Sequence, residues 1–499
     1  MTTAPPSTSA HLAREMTLLG LIATALCAMI GVGINIIPFM LQRSRPGIGD
    51  AVPWAFVVAA VPAALAALCY ALLSSAMPRA GGSYVYATRA LNPFAGFLAS
   101  FAQWFGLSMG MGVVAYLMVP MLRDTLLTAG WSGAGAFFEQ AWVRVPLALG
   151  AIWAFWWVNR VGIKAYERTV VVMAVAMIAG PVVMTITGFL HTPADFARAM
   201  DGLGTAMPVE PAELPSFSRG VFLSAAVVLF SSFIGFDAIS QAGGEARNPS
   251  RALPRSILLA MGVVTLYYLL FTSAVYHAVP WDYIYRVSLV RDVSAPALLA
   301  PLMPPWLGVV ILLAVTVAIL NSIPSVMLAN SRMLYAFGTD RIFPAALGRV
   351  HPVHRTPHVA ITVTAIAGSL SVLGCHFAGD FFLGVDVLVL SMLLNFVLMA
   401  AAVITFPKVN PHLYREVAFL RSRTTQVGVA VAAGVLLAAL LVIQLAGDLT
   451  SATPWYLRST TIWIAVMAGA SLVFVRSWRR LRDEGVDPRR DIFSALPEE

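Results

Sequence analysis

Two glycines one residue apart, Gly31 and Gly33 in Met29-Ile30-Gly31-Val32-Gly33-Ile34-Asn35, stand in the middle of an apolar run from about residue 16 to 42. A helix in hydrocarbon satisfies its own N–H and C=O groups, so a break at mid-depth persists only where protein covers it or it lines a cavity. The spacing therefore predicts a discontinuous helix whose halves aim opposite terminal dipoles and unpaired backbone groups at one point. Such a point suits a solute carrying an anion and a cation together. A second stretch, Ser232-Phe233-Ile234-Gly235-Phe236-Asp237, has the character of its partner. N–H groups around Val32 to Ile34 are the candidates to hold a carboxylate. Carbonyls around Met29, and from Phe230 to Phe233, are the candidates to face an ammonium. The candidate substrate-binding set is Met29, Gly31, Val32, Gly33, Ile34, Phe230, Phe233, Ile234, Gly235 and Asp237.

Asp237 directly follows the second break, and a carboxylate at that depth is a functional candidate by default. It could pair a substrate amine or carry a proton, or it could cap the half-helix that follows. Phe236, Asp237, Glu245 and Asp386 form the candidate gating and coupling set, although Asp386 lies only a few residues from the outer end of its apolar segment. Glu245 and Arg247 fit an inner-surface gate pair, but loop anchoring is the preferred reading. Phe233 and Phe236 fit pocket aromatics or ordinary packing, and the sequence does not separate the two. His351, His354 and His358 have a spacing that could chelate, but no carboxylate or thiol accompanies them, so no metal site is expected. Cys27, Cys69 and Cys375 lie in apolar runs without motif spacing and are expected to be packed thiols. No P-loop, Rossmann glycine pattern, zincin motif or nucleophile elbow occurs. Neither ATP-driven transport, nor enzyme chemistry, nor a bound cofactor is therefore expected.

The elements that must position these residues are membrane helices. Of 499 residues, 59% are hydrophobic and 11% charged, and apolar runs of about 20 residues recur from end to end, which predicts an all-α polytopic membrane protein. Spans are expected near 17–41, 52–77, 94–121, 145–158, 166–190, 219 onward, 257–279, 306–337, 359–375, 382–406, 426–445 and 460–475. Residues 1–10 lack a charged leader region and a cleavage site, so the first span is expected to be retained. Gly106, Gly110 and Gly112 in the third span form a small-residue pattern suited to close helix packing. Residues 77–86, with Pro78 and paired glycines, are expected to be an inner loop, and residues 281–305 an outer segment with a short helix around 295–302.

Each break comes about 15 residues into its span, and prolines follow both: Pro46 and Pro53 in one half, Pro249 and Pro254 in the other. The first span runs outward and the sixth inward, which predicts a five-plus-five inverted repeat with its site at mid-bilayer. The expected divisions are a tail (1–16), the first repeat (17–190), an outer loop (191–218), the second repeat (219–406), two extra helices (407–476) and a tail (477–499). The net charge of +8 might suggest nucleic acid, but 23 of the 32 Lys and Arg fall in alternate loops and the tails. That is a positive-inside distribution, with both termini cytoplasmic. The Arg-rich tail is expected to meet anionic headgroups rather than nucleic acid.

Four motifs carry a family resemblance. They are Gly31-Val32-Gly33-Ile34 with Pro38, and Ser74-Ser75-Ala76-Met77-Pro78-Arg79-Ala80-Gly81-Gly82-Ser83-Tyr84. The third is Phe233-Ile234-Gly235-Phe236-Asp237 with Gly244-Glu245-Ala246-Arg247-Asn248-Pro249 and Pro254-Arg255-Ser256-Ile257; the fourth is Asn321-Ser322 with Ser331-Arg332-Met333-Leu334-Tyr335-Ala336. Over residues 17–406 the chain resembles the amino acid, polyamine and organocation (APC) superfamily of transporters, of the bacterial amino-acid permease type. The resemblance implies a leucine-transporter-type fold of twelve helices in the cytoplasmic membrane, alternating access, and an amino acid or small amine substrate. Secondary active transport is expected, proton-coupled or by exchange, with H⁺ the expected coupling ion and Na⁺ the alternative. Departures from the family pattern are Val32 and Asn35 in the first break, Leu72 in place of a carboxylate, and Met177 where some proton-coupled relatives carry lysine. A polyamine or organic amine carrier is the rival within the class, and a non-transporting membrane sensor the rival outside it. Oligomeric state is left open.

Overall fold

The computed structural model describes residue 12 and residues 14–204, 213–378, 381–451 and 453–497. Among the described residues there is no strand, and eleven helices are long and apolar enough to cross a membrane. The first expected span is divided into α1 (Leu18–Met29) and α2 (Ile37–Ser44), each too short to cross alone. The other long helices follow as α3 (Val52–Ala76), α5 (Pro93–Thr128), α6 (Ala141–Val161) and α7 (Ile163–Leu190). The second half begins with α8 (Arg219–Phe230) and α9 (Ala238–Gln241), then α10 (Pro249–Ala278), α11 (Pro305–Thr339), α12 (His358–Ala378) and α13 (Phe382–Val409). The last two are α14 (Arg423–Leu449) and α15 (Ser459–Asp483).

The outward faces show why this chain needs lipid. Along α7, Val175, Ile178, Val182 and Ile186 are exposed, and along α10 so are Leu259, Val263, Leu266 and Leu270. Spacings of three and four put each set on one helical stripe. An apolar stripe turned outward is the reverse of a soluble protein. Exposed Trp54, Trp142, Trp306 and Trp455 stand at or near the starts of α3, α6, α11 and α15, all at one end of the bundle, where amphipathic rings suit the membrane interface.

Some connections hold more structure than expected. The anticipated loop after α3 contains helix α4 (Gly82–Ala90), every residue of it buried. Gly81 at φ +87° makes its entry turn, and a Cβ at Gly82 would come within 2.8 Å of the Ser240 carbonyl. Proline and glycine punctuate the chain there without opening it to solvent. The segment around 191–218 begins with helix Pro193–Gly202, capped by Thr192 and Asp195 acting reciprocally. The short helix expected near 295–302 is present as Ala295–Leu299 with a tighter turn over Ala300–Leu302, and an unanticipated helix, Trp281–Val290, precedes it. Residues 205–212 and 1–11 of the expected loop and tail lie outside the described residues.

Candidate functional site

Both glycine stretches interrupt their helices. At the first, Ile30 still donates to the Leu26 carbonyl at 2.7 Å, but its own backbone is extended (φ −84°, ψ 95°). A single helical turn, Val32–Asn35, follows, and the chain bends again at Ile36 before α2. Asn35 is fully buried, and its Nδ2 donates to the Gly31 carbonyl at 2.9 Å. At the second break, α8 tightens into a 3₁₀ turn over Ser231–Phe233, Ile234 is extended, and Gly235 takes φ +134°, a region that disfavours any residue with a Cβ.

The two breaks lie against each other. A Cβ on Gly33 would sit 3.0 Å from Ser232 Cα, and one on Gly235 would sit 2.8 Å from the Ala28 carbonyl carbon. Ser232 Oγ donates to the Gly33 carbonyl at 2.7 Å. Tyr268 on α10, fully buried, shares its hydroxyl proton between the Met29 carbonyl at 2.6 Å and the Ser232 carbonyl at 2.8 Å. One side chain thus holds a freed carbonyl from each break. That contact is absent from the sequence reading, because a tyrosine in an apolar run carries no mark of the azimuth it faces.

Beside the breaks is a cavity whose water-accessible core measures about 80 Å³. At roughly 10–15 Å³ per water, that is space for about half a dozen waters, which suits a small solute. Met29, Gly31, Gly33, Ile234, Gly235 and Asp237 line it; Ile34, Phe230, Phe233 and Phe236 do not. Val32 opens the single turn between the halves of the first break. Phe236 stacks on Phe396 (centroids 5.2 Å apart) and meets Tyr70 edge-on, while Phe233 packs on Tyr268 and Phe56. These phenylalanines are packed behind the breaks. Two serines that sequence reasoning missed, Ser231 and Ser322, line the cavity with buried hydroxyls that have no hydrogen-bond partner among the described residues.

Asp237 is fully buried, yet its side chain makes no capping bond to α9. One carboxylate oxygen accepts from Gly235 N–H at 3.1 Å and the other from Gln103 Nε2 of α5. Gln103 Oε1 accepts in turn from Ser83 Oγ and, at 3.3 and 3.4 Å, from Asn395 and Gln241. Among the described residues no cationic side chain pairs with this carboxylate. Neutral amides hold it. Gln103 and Asn395 could have been flagged as isolated amides in apolar spans, but not assigned to Asp237.

The other candidates sit apart. Asp386 accepts from Gln444 Nε2 of α14 at 3.1 Å and is not part of the cavity lining. Glu245 forms a two-point pair with Arg332 of α11, at 2.7 and 2.8 Å, both side chains 1% exposed. Arg247, the partner suggested by sequence, is exposed; its N–H donates to the Met16 carbonyl. His351, His354 and His358 do gather, with rings 4.7 and 5.4 Å from that of His351, but His351 Nδ1 is taken by the N–H groups of Val353 and His354. Among the described residues no cluster with the makings of a metal site is present. Cys27, Cys69 and Cys375 are buried thiols.

The sequence model described as "Amino acid permease" matches residues 16–468. Similar proteins include the branched-chain amino acid permease BcaP of Bacillus subtilis, 26% identical over 81% of this chain and 83% of its own length. The methylthioribose transporter of the same organism is 26% identical over 82% and 84%. The low-affinity putrescine importer PlaP of Escherichia coli is 25% identical over 72% of each chain.

Proposed function

Because the chain belongs to the amino acid permease family, with the match spanning residues 16–468, we propose that it is a secondary transporter of amino acids across the cytoplasmic membrane. It works by alternating access as a carrier, not an enzyme, with both termini on the cytoplasmic side. The observation that carries this reading is the meeting of two interrupted helices at one small cavity, with the backbone of Gly31, Gly33 and Gly235 on its wall. A zwitterion leaving water loses several kcal/mol of solvation per charge, so a site must supply both signs of partner in fixed positions. Exposed main chain does so without charged side chains: N–H groups of the first break hold the carboxylate, and carbonyls ending α1 and the Ser231–Phe233 turn face the ammonium. The unpartnered Ser231 and Ser322 hydroxyls complete the polar end.

Asp237 carries the coupling proton in this reading. It is an ionisable group buried at the site without a cationic partner, which is the setting of a proton relay rather than of a fixed ion pair. A polyamine carrier would need two separated anions at the cavity; Asp386, the second anion the sequence offered, faces α14 instead. Proteoliposome uptake of radiolabelled amino acids and putrescine, under a pH or a sodium gradient, tests the proposal. Amino-acid uptake driven by an inward proton gradient is expected, and Asp237→Asn should remove the pH dependence. Putrescine as the sole solute, or unchanged pH dependence in the variant, would overturn the corresponding half.

A further inference from the structure

The cavity has two unlike ends. Gly31, Gly33, Ser231 and Ser322 form the end at the breaks, with Ser322 Oγ seated directly against Gly31. The wall contributed by α5, α11 and α13 includes Leu107, Gly110, Val113, Val326, Val385 and Leu388. No aromatic ring and no polar side chain stands among those six. Among the described residues of the lining Asp237 is the one titratable group, and both its oxygens are already held by Gly235 and Gln103. A charged solute side chain turned toward that wall would find no counter-ion and no hydrogen-bond partner there.

Gly110 has a place of its own in this wall. Its neighbours in the glycine pattern serve packing: a Cβ on Gly106 would strike Ser391, and one on Gly112 would strike Ser371, each on an adjacent helix. A Cβ on Gly110 would sit 3.0 Å from the Leu388 Cδ2 methyl and 3.8 Å from its Cδ1 and Cγ, and both residues line the cavity. Gly110 and Leu388 thus meet at the cavity wall, where a side chain added at position 110 would press on Leu388.

Resting on the amino-acid reading above, we propose that the solute carries a neutral aliphatic side chain of valine or leucine size, and that Gly110 with Leu388 sets its upper limit. One methylene in a hydrophobic pocket discriminates by roughly 10- to 200-fold, so a single added methyl at this wall is a sensitive probe. Uptake into proteoliposomes of alanine, valine, leucine, phenylalanine, lysine, glutamate and putrescine is the test, with folding of each variant verified by its melting temperature in detergent. Valine or leucine should exceed lysine, glutamate and putrescine at least tenfold. Gly110→Ala should raise the KM for leucine about tenfold more than that for alanine, and Leu388→Ala should admit phenylalanine; the second variant decides the matter if the first is unstable. Lysine or glutamate as the best substrate would overturn the aliphatic assignment while leaving an amino-acid carrier in place. An equal loss for alanine and leucine in Gly110→Ala, with phenylalanine still refused by Leu388→Ala, would remove Gly110 and Leu388 as the size limit. A folded protein that takes up none of the amino acids would overturn the carrier reading and this inference together.

Discussion

At the scale of single residues, the site depends on two backbone positions and one hydroxyl. Gly235 combines φ +134° with the close approach of Ala28, so Gly235→Ala meets backbone strain and a collision at once. Uptake should fall at least tenfold while membrane insertion, read by protease protection of the loops, is unchanged, because the other helices do not depend on this contact. Tyr268→Phe keeps the ring against Phe233 and Phe56 and removes only the proton shared by the Met29 and Ser232 carbonyls. Leaving buried acceptors without a donor costs about 1–3 kcal/mol. A lower melting temperature with a larger fractional loss of transport is the expected pairing; a stable variant with normal uptake would show that the breaks hold their places unaided. Gly31, Gly33 and Gly235 were legible in the sequence because a helix breaker in an apolar run has a local meaning. Tyr268, Gln103, Ser231 and Ser322 were not, because a polar side chain acquires its partner only when several helices have been set in azimuth around it.

At the scale of elements, the short inner half of the second broken helix, α9 and the turn Gly243–Glu245, is fastened to α11 by Glu245 and Arg332. Both are fully desolvated, and the pair satisfies its own charge. Removing one partner strands the other in the interior, a loss of about 3–5 kcal/mol. Glu245→Gln should therefore loosen this end of the bundle. A cysteine introduced at Ala329 in the cavity wall, with the three native cysteines replaced, should react several-fold faster with a maleimide added from that side. The charge-swapped double variant, Glu245→Arg with Arg332→Glu, should restore the slower rate in part, and its failure to do so would assign the effect to misfolding. Counting residues along a span sets an expected depth for Glu245 and Asp386, but the facing helix follows from three-dimensional packing, which gives Glu245 Arg332 in place of Arg247 and sets Asp386 against Gln444. Helix α4 was missed for a related reason, since Pro78, Gly81 and Gly82 signal a turn equally well whether the chain then enters water or runs beneath Ser240.

At the scale of the whole molecule, the end of the bundle that carries the basic loops is closed by the chain's own tail. After α15 the chain turns back, and its segment around residues 488–497 lies against α4, where Arg89 is 1% exposed. The five donors of that guanidinium are all engaged: Asp340 takes two, Thr88 one, and the carbonyls of Ile492 and Ala495 the remaining two. Phe493 lies under the same guanidinium, 5.0 Å from its centre, and stacks on Trp478. Arg476, Arg479, Arg482, Arg489 and Arg490 remain exposed around this tail, free to meet anionic headgroups. Phe493→Ala removes the anchor and should cost about 3–5 kcal/mol of tail docking. In membrane vesicles turned inside out, a trypsin-like protease should then cleave after Arg489 or Arg490 much faster than in the unaltered protein. Intact cells treated from outside should show no cleavage in either form if the positive-inside distribution sets the orientation. Fast cleavage from outside would reverse the assigned sidedness, and equal rates inside for both forms would mean that the tail is held by its arginines on the lipid surface rather than by Phe493 against α4.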